Sequence, residues 1–248
     1  MKLVRFKVNG EIFAGQLAEG VVRIAADNLP PREFALDQVR LLAPCTPNKV
    51  VAVGLNYRDH AEEMGLEIPD EPILFIKPAS SVIGPGDTIL LPHQSSRIDF
   101  EAELAVVIGK TARNVARHEA SAYILGYTCL NDVTARDLQS KDGQWTRSKS
   151  FDTFCPIGPW IETDIDSSDL KIELYLNGET KQQSRTSNLI FSSDHLLEFV
   201  SAIMTLHPGD VIATGTTSGV GPMQAGDTVE VRVEGIGSLI NHAKKIAL

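Results

Sequence analysis

The chain has 248 residues, 43% hydrophobic and 22% charged, with no low-complexity segment; it is long enough to bury a large core and is not the composition of a disordered chain. A formal net charge of -9 and a pI near 5.2 leave no general basic surface, which argues against nucleic acid as a partner. No uncharged apolar run approaches the roughly 18 to 20 residues needed to cross a bilayer, and the charged start Met1-Lys2-Leu3-Val4-Arg5-Phe6-Lys7 is not an export signal, so no membrane association is expected.

In chain order, residues 2–7, 11–16 and 20–24 predict a small meander, with Asn9-Gly10 as a hairpin turn. The stretch 29–47 carries Pro30, Pro31, Pro44 and Pro47 and reads as a linker. A small N-terminal β domain over 1–45 and a second domain over 46–248 follow from it. Cys45, Cys129 and Cys155 form no Cys-x-x-Cys pair, which suits reduced, buried thiols in a cytoplasmic protein.

Strands are predicted over 49–53, 73–77, 88–91, 100–108, 171–176, 210–214 and 228–233. Helices are predicted over 116–122, capped by Asn114, and over 193–204, where Leu196, Leu197, Phe199, Val200 and Ile203 make a stripe for the core. Pro85-Gly86-Asp87, Pro208-Gly209-Asp210 and Ala225-Gly226-Asp227 each punctuate the start of a strand as a tight turn would. No repeat of 20–50 residues is present, so the chain is not a solenoid.

Within 100–108, side chains alternate faces, so Glu101 and Glu103 share one face, roughly 6–7 Å apart. Both faces end in apolar residues, and two carboxylates on a buried strand need a compensating positive charge. Hard oxygen ligands suit magnesium, manganese or calcium. From this segment alone a cation site and a solvated strand end both remain open. Asp132, just past the apolar run 124–130, supplies a third carboxylate where a strand would turn into a helix.

Several segments, in order, carry a resemblance. They are Gly54-Leu55-Asn56-Tyr57-Arg58-Asp59-His60, Phe75-Ile76-Lys77-Pro78, Asp99-Phe100-Glu101-Ala102-Glu103-Leu104, Asn131-Asp132-Val133-Thr134-Ala135-Arg136-Asp137, Trp145-Thr146-Arg147-Ser148-Lys149-Ser150-Phe151-Asp152 and Pro208-Gly209-Asp210-Val211-Ile212-Ala213-Thr214-Gly215-Thr216. Together they resemble the fumarylacetoacetate hydrolase family over about 200 residues. The resemblance implies an α+β fold, a mixed β-sheet roll around a metal cleft with short peripheral helices.

It further implies that Glu101, Glu103 and Asp132 bind the metal, Mg2+ or Mn2+ with Ca2+ as an alternative, and that His60 and Glu63 form a water-activating dyad. Positions i and i+3 on a helical turn sit side by side, so Glu63 can orient the imidazole; Gly65 can then stop the short helix. Without the resemblance His60 reads as a surface residue. Lys149 matches the family's active-site lysine, able to stabilise an enolate, where composition alone allows a surface cation. Arg136 and Gln139, four and seven residues after Asp132, would share its helical face. They resemble positions that hold substrate oxygens, with a purely structural role as the alternative. Thr216 belongs to the glycine-rich substrate loop 214–221, which lacks the ending of a phosphate loop.

Two departures stand out. Thr217 occupies a position where the family commonly has Pro, and Val53 stands where some members place a fourth metal carboxylate. Three protein carboxylates are therefore expected, which points to the acylpyruvase-like branch. The reaction ranked first is hydrolysis of the carbon–carbon bond of a 3-acylpyruvate or fumarylpyruvate-like substrate, with water activated by His60 and Glu63. Decarboxylation of an oxaloacetate-like diacid, isomerisation of a 2-hydroxyhepta-2,4-diene-1,7-dioate-like diacid, and a non-catalytic metal-stabilised binding protein are the alternatives. A small 2-oxo acid or dicarboxylate as substrate and a homodimer as assembly complete the expectation.

Overall fold

Asn9 and Gly10 both take positive φ, 50° and 87°, and fold the strand Lys2–Val8 back onto Glu11–Ala18. Two consecutive left-handed residues give a turn whose twist matches that of the strands it joins, which is why Asn-Gly serves there. A computed structural model describes residues 1–24 and 32–246. Pro30 and Pro31 of the expected linker lie outside the described residues.

The N-terminal meander has its own core of Val4, Phe6, Leu17, Val22 and Ile24. It also continues the main sheet, because Lys2 and Leu3 pair with Glu162 and Ile161. Among the described residues that sheet has twelve strands. Beyond the meander it runs through Cys155–Glu162, Ile124–Asn131, Ala102–Ile108, Val211–Thr216, Lys49–Gly54 and Ile73–Pro78. Val211–Thr216 and Lys49–Gly54 are parallel, and the other neighbours along this run are antiparallel. A five-stranded sheet holds Glu179–Arg185, Lys171–Leu176, Thr228–Val233, Gly237–Lys245 and Thr88–Leu91.

Every residue of Ala102–Ile108 is buried. Leu104 packs into one hydrophobic cluster, Val106 and Ile108 into a second, and Ala105 and Val107 into a third. A strand covered on both faces has no solvent side, which explains its apolar run from Leu104 to Ile108. The strand expected over 100–108 is nevertheless interrupted at Glu101. There the Glu101 N–H donates to Asn131 Oδ1 and the Ala102 N–H to Gln182 Oε1, each at 2.9 Å. Side chains from other strands thus satisfy two backbone donors. The chain is released from one ladder into another: Ile98–Phe100 pairs instead with Thr134–Ala135 and Gly221–Pro222 in a small third sheet.

The helices are short: α1 (Arg58–Met64), α2 (Arg136–Asp142), α3 (Thr146–Lys149) and α4 (Ser193–Ile203). Gly65, with φ 61°, ends α1 in the left-handed conformation. On α4, Leu196, Leu197 and Val200 are buried, but Ile203, expected in the same stripe, is 59% exposed at the last residue of the helix. The helix expected over 116–122 is a 3-10 helix, Arg117–Ala122, and Asn114 does not cap it. Asn114 takes a positive φ and its N–H is used by Ser201 O at 2.9 Å, so this segment is tied to α4 instead. At the three Gly-Asp turns, Asp87, Asp210 and Asp227 accept the N–H of the residue three before them at 2.8, 2.9 and 2.6 Å.

Candidate active site

Asn131 pairs with Ala102 across the central strands, and the Asp132 N–H donates to Glu101 O at 2.9 Å. That register sets the carboxylate of Asp132 beside the Glu101–Glu103 segment. One oxygen from each of Glu101, Glu103 and Asp132 lies within 4.8 Å of the others, and all three residues are buried.

Cations surround two of the three unequally. Lys149, at the end of α3, places Nζ 2.8 Å from Glu101 Oε2 and 2.5 Å from Asp132 Oδ2. Lys77, fully buried on the strand Ile73–Pro78, reaches Asp132 Oδ1 at 2.5 Å and Val133 O at 3.2 Å. Arg136 donates through Nη2 to Glu101 Oε1. Burial opposes ionisation of Glu101, but Lys149 and Arg136 outweigh it and hold its pKa down at about 2. The same carboxylates overcome the burial of Lys149 and push its pKa up, so it stays an ammonium.

Glu103 is placed differently. It accepts the Gly215 N–H at 2.8 Å, and no Lys or Arg forms an ion pair with it among the described residues. Burial, then Asp132 and Glu101, push its pKa well above the ordinary carboxylate range. A buried carboxylate short of positive charge, within reach of two others, fits a divalent cation held by hard oxygen donors. Magnesium, manganese and calcium all suit that donor set.

The triad opens into a cavity of about 300 Å3 that also contains His60, Arg136, Gln139, Lys149 and Thr216. Val53, Leu55, Met64, Leu66, Phe75 and Trp145 supply its apolar wall. Val53 therefore lines the site without adding a fourth carboxylate. Trp145 meets the Phe75 ring edge-on, with centroids 5.2 Å apart. It also lies so close to Gly54 that a Cβ there would come within 2.6 Å of the indole, so only glycine fits. A larger cleft of about 530 Å3 between His93, Met223 and Lys245 contains no comparable convergence of carboxylates.

On α1, His60 Nδ1 lies 3.0 Å from Glu63 Oε2. Glu63 in turn accepts the Gly219 N–H through Oε1 at 3.0 Å and Oε2 at 3.2 Å. The pair expected from the i, i+3 spacing is thus formed, and it is anchored to the glycine-rich loop. Thr216 Oγ1 donates to Ala102 O at 3.0 Å and accepts from Gln182 Nε2 at 2.9 Å, so its hydroxyl proton is engaged by the protein. Thr217 is also buried and takes a further bond from Gln182. Arg136 and Gln139 are joined, Nη1 to Oε1, at 2.6 Å. They share a face of α2, but Asp132 precedes that helix, which begins at Arg136. Their closeness to Asp132 comes from the turn and not from a common helical face.

Sequence reasoning assigned no role to Lys77, Asp99 or Gln182. A lysine inside the strand-like run 73–77 was an available signal, because a buried cation needs an anionic partner. Gln182 carried none, since its partners, the Ala102 N–H and the backbone and hydroxyls of a distant loop, are all more than thirty residues away.

The fumarylacetoacetate (FAA) hydrolase C-terminal family profile matches residues 49–244, and a profile for an Rv2993c-like N-terminal region matches residues 1–44. The mitochondrial oxaloacetate tautomerase Fahd2a of Rattus norvegicus is 43% identical over 242 residues, 92% of this chain and 76% of the relative. The crystal structure of 5-carboxymethyl-2-hydroxymuconate delta-isomerase from Mycobacterium smegmatis superposes with a TM-score of 0.94 at 47% identity, covering 100% of both chains. Maleylpyruvate hydrolase from Sphingobium sp. SYK-6, in complex with manganese(II) ion and pyruvate, superposes with a TM-score of 0.84 at 30% identity, again covering 100% of both chains. No helix among the described residues is long and apolar enough to cross a membrane.

Proposed function

The chain belongs to the fumarylacetoacetate hydrolase family and is an enzyme of it, and we propose that its reaction is metal-dependent proton transfer on a 2-oxo acid, the keto–enol tautomerisation of an oxaloacetate-like diacid. The observation that carries this reading is the meeting, around one cavity, of the buried carboxylate triad, Lys149 between two of its members, and His60. The rat relative named as an oxaloacetate tautomerase and the mycobacterial isomerase structure support proton transfer over hydrolysis.

When bound by Glu101, Glu103 and Asp132, a divalent cation, Mg2+ or Mn2+, supplies a Lewis acid for the oxygens of a 2-oxo acid. The remaining chemistry belongs to side chains. With its Nδ1 proton directed at Glu63, the His60 imidazole keeps Nε2 free to take a proton from C3 of the substrate. The electrons of that C–H bond form the C2–C3 double bond, and the oxygen on C2 gains negative charge. The Lys149 ammonium stabilises that charge, an effect strengthened by the apolar wall around it. The imidazolium then returns a proton to the C2 oxygen, and the reverse sequence converts enol to ketone. Gln139 is assigned to substrate oxygens at the cavity wall, and Thr216 lines that wall with its hydroxyl proton held by Ala102 O.

Hydrolysis of a 3-acylpyruvate is the second reading, favoured by the 3.0 Å His60–Glu63 contact, which would equally activate a water molecule. The Sphingobium maleylpyruvate hydrolase is similar in fold and sequence. Decarboxylation draws on the same electron sink. Purified protein with Mn2+ or Mg2+, given enol-oxaloacetate, acylpyruvates and 2-hydroxymuconate-type diacids, separates these reactions. Acylpyruvate cleavage without enol–keto conversion would replace the tautomerase reading by the hydrolase one.

A homodimer is part of the same proposal. Met64, Leu66, Ile68, Ile73 and Ile76 are exposed on and around α1 and the outermost strand of the main sheet, next to the cavity. A second copy covering them would bury an apolar patch of the kind that marks an interface. Sedimentation as a 27.0 kDa particle at micromolar concentration would contradict it. Three free, buried cysteines accord with a reducing cytoplasm.

A further inference from the structure

The geometry points to a role for Asp99 that no motif assigns: acting through Arg136, it is a positioning residue for Glu101, and the Asp99–Arg136 pair serves the divalent cation site and not the substrate.

Asp99 is fully buried on the strand Ile98–Phe100. Its carboxylate accepts from Arg97 Nε at 2.9 Å and Nη2 at 3.2 Å, and from Arg136 Nε at 2.9 Å. The register of the small sheet creates this meeting. Asp99 lies opposite Thr134, and the Arg136 N–H donates to Arg97 O at 2.9 Å, so the first residue of α2 is delivered to the strand that holds Asp99. Asp99 and Glu101 are two residues apart, and one guanidinium spans both carboxylates.

Arg136 has a protein acceptor on each of its three nitrogens: Asp99 on Nε, Gln139 on Nη1 and Glu101 on Nη2. A planar guanidinium fixed through Nε by a buried carboxylate has little freedom, so its Nη2 can hold Glu101 Oε1 in one orientation. Lys149 takes the other oxygen of Glu101. The rotamer of Glu101 is therefore set through Arg136 by Asp99, which does not line the cavity. Partners that orient a metal-binding side chain typically change metal affinity by about 10–100-fold when removed.

This inference rests on the proposed cation site, and its test keeps the two apart. Mn2+ affinity is measured by calorimetry for wild type, Glu101→Gln, Asp99→Asn and Arg136→Lys, with circular dichroism as a check on folding. Arg136→Lys keeps the charge and loses the planar fork, on a side chain that is partly exposed. Asp99→Asn and Arg136→Lys are each expected to weaken Mn2+ binding about tenfold or more. The double variant should be no weaker than the worse single one, because the two residues act as a unit. If Glu101→Gln binds Mn2+ like wild type, the cation site itself is wrong. If Glu101→Gln weakens binding but a folded Arg136→Lys does not, and instead raises KM for the 2-oxo acid, then Arg136 grips substrate and the positioning role is overturned.

Discussion

The Glu63 carboxylate is shared between His60 Nδ1 and the backbone N–H of Gly219. The imidazole on α1 is thereby oriented from the glycine-rich loop. Gly219 has φ +90°, and a Cβ there would stand 2.2 Å from Lys181 O, so the loop can present its N–H only with glycine at that position.

From this link, Gly219→Ala and Glu63→Ala are expected to lower kcat about ten- to a hundredfold, part of the 10²–10⁴ that a positioned general base contributes. Mn2+ affinity should stay within a factor of about two, because neither residue touches the carboxylate triad. Steady-state kinetics at saturating Mn2+ with parallel calorimetry checks both halves. Loss of Mn2+ binding in Gly219→Ala would mean that the loop supports the metal ligands instead.

Lys77 and Asp132 form a buried pair at 2.5 Å, with Lys77 fully enclosed. Removing one partner of such a pair typically destabilises by about 3–5 kcal/mol, because the other charge is left without compensation. Lys77→Met is expected to lose stability of this order in urea unfolding. Mn2+ should restore part of it by supplying positive charge to Asp132. Unfolding midpoints of Lys77→Met that match wild type without Mn2+ would show that Lys149 alone suffices for Asp132.

Asp137, in the first turn of α2, accepts from Ser95 Oγ at 2.6 Å, from the Ser96 N–H and hydroxyl at 2.9 and 2.8 Å, and from the Leu138 N–H at 3.0 Å. Burial opposes its ionisation, and these bonds together overcome it, holding its pKa at about 2 against an ordinary 3.8. A carboxyl more acidic in the folded state than in the unfolded one stabilises the fold fully above the unfolded value and loses that contribution as pH falls toward the folded value. The stability gap between wild type and Asp137→Asn should therefore be constant from pH 7 to about 5 and shrink from about 4 toward 2. Denaturant titrations across that range test it, and a gap that persists unchanged at pH 2.5 would contradict it.

Much of this arrangement was legible in the sequence because local patterns carried it. Asn9-Gly10, the Gly-Asp turns and the two-sided apolar run after Glu103 each follow from chemistry within a few residues. The triad, Lys149 and the His60–Glu63 pair were legible as motifs, since their spacing matched a family whose roles are known. What escaped depends on partners brought from far along the chain. The break at Glu101 is made by Asn131 and Gln182, and Asp99 acquires its partner only through the register of a three-stranded sheet. The helical face expected to unite Asp132 with Arg136 and Gln139 failed for a related reason: the strand pairing of Thr134 and Ala135 intervenes before the helix starts.

The most direct test of the account is exchange of the C3 hydrogens of oxaloacetate in deuterium oxide, followed by nuclear magnetic resonance at saturating Mn2+ for wild type and His60→Ala. Proton transfer by His60 beside the triad predicts exchange well above the Mn2+-only rate in wild type, reduced about 10²–10⁴-fold in His60→Ala with Mn2+ affinity unchanged. Equal exchange rates in the two proteins, with acylpyruvate cleavage lost only in His60→Ala, would contradict it and leave His60 as the base of a hydrolase.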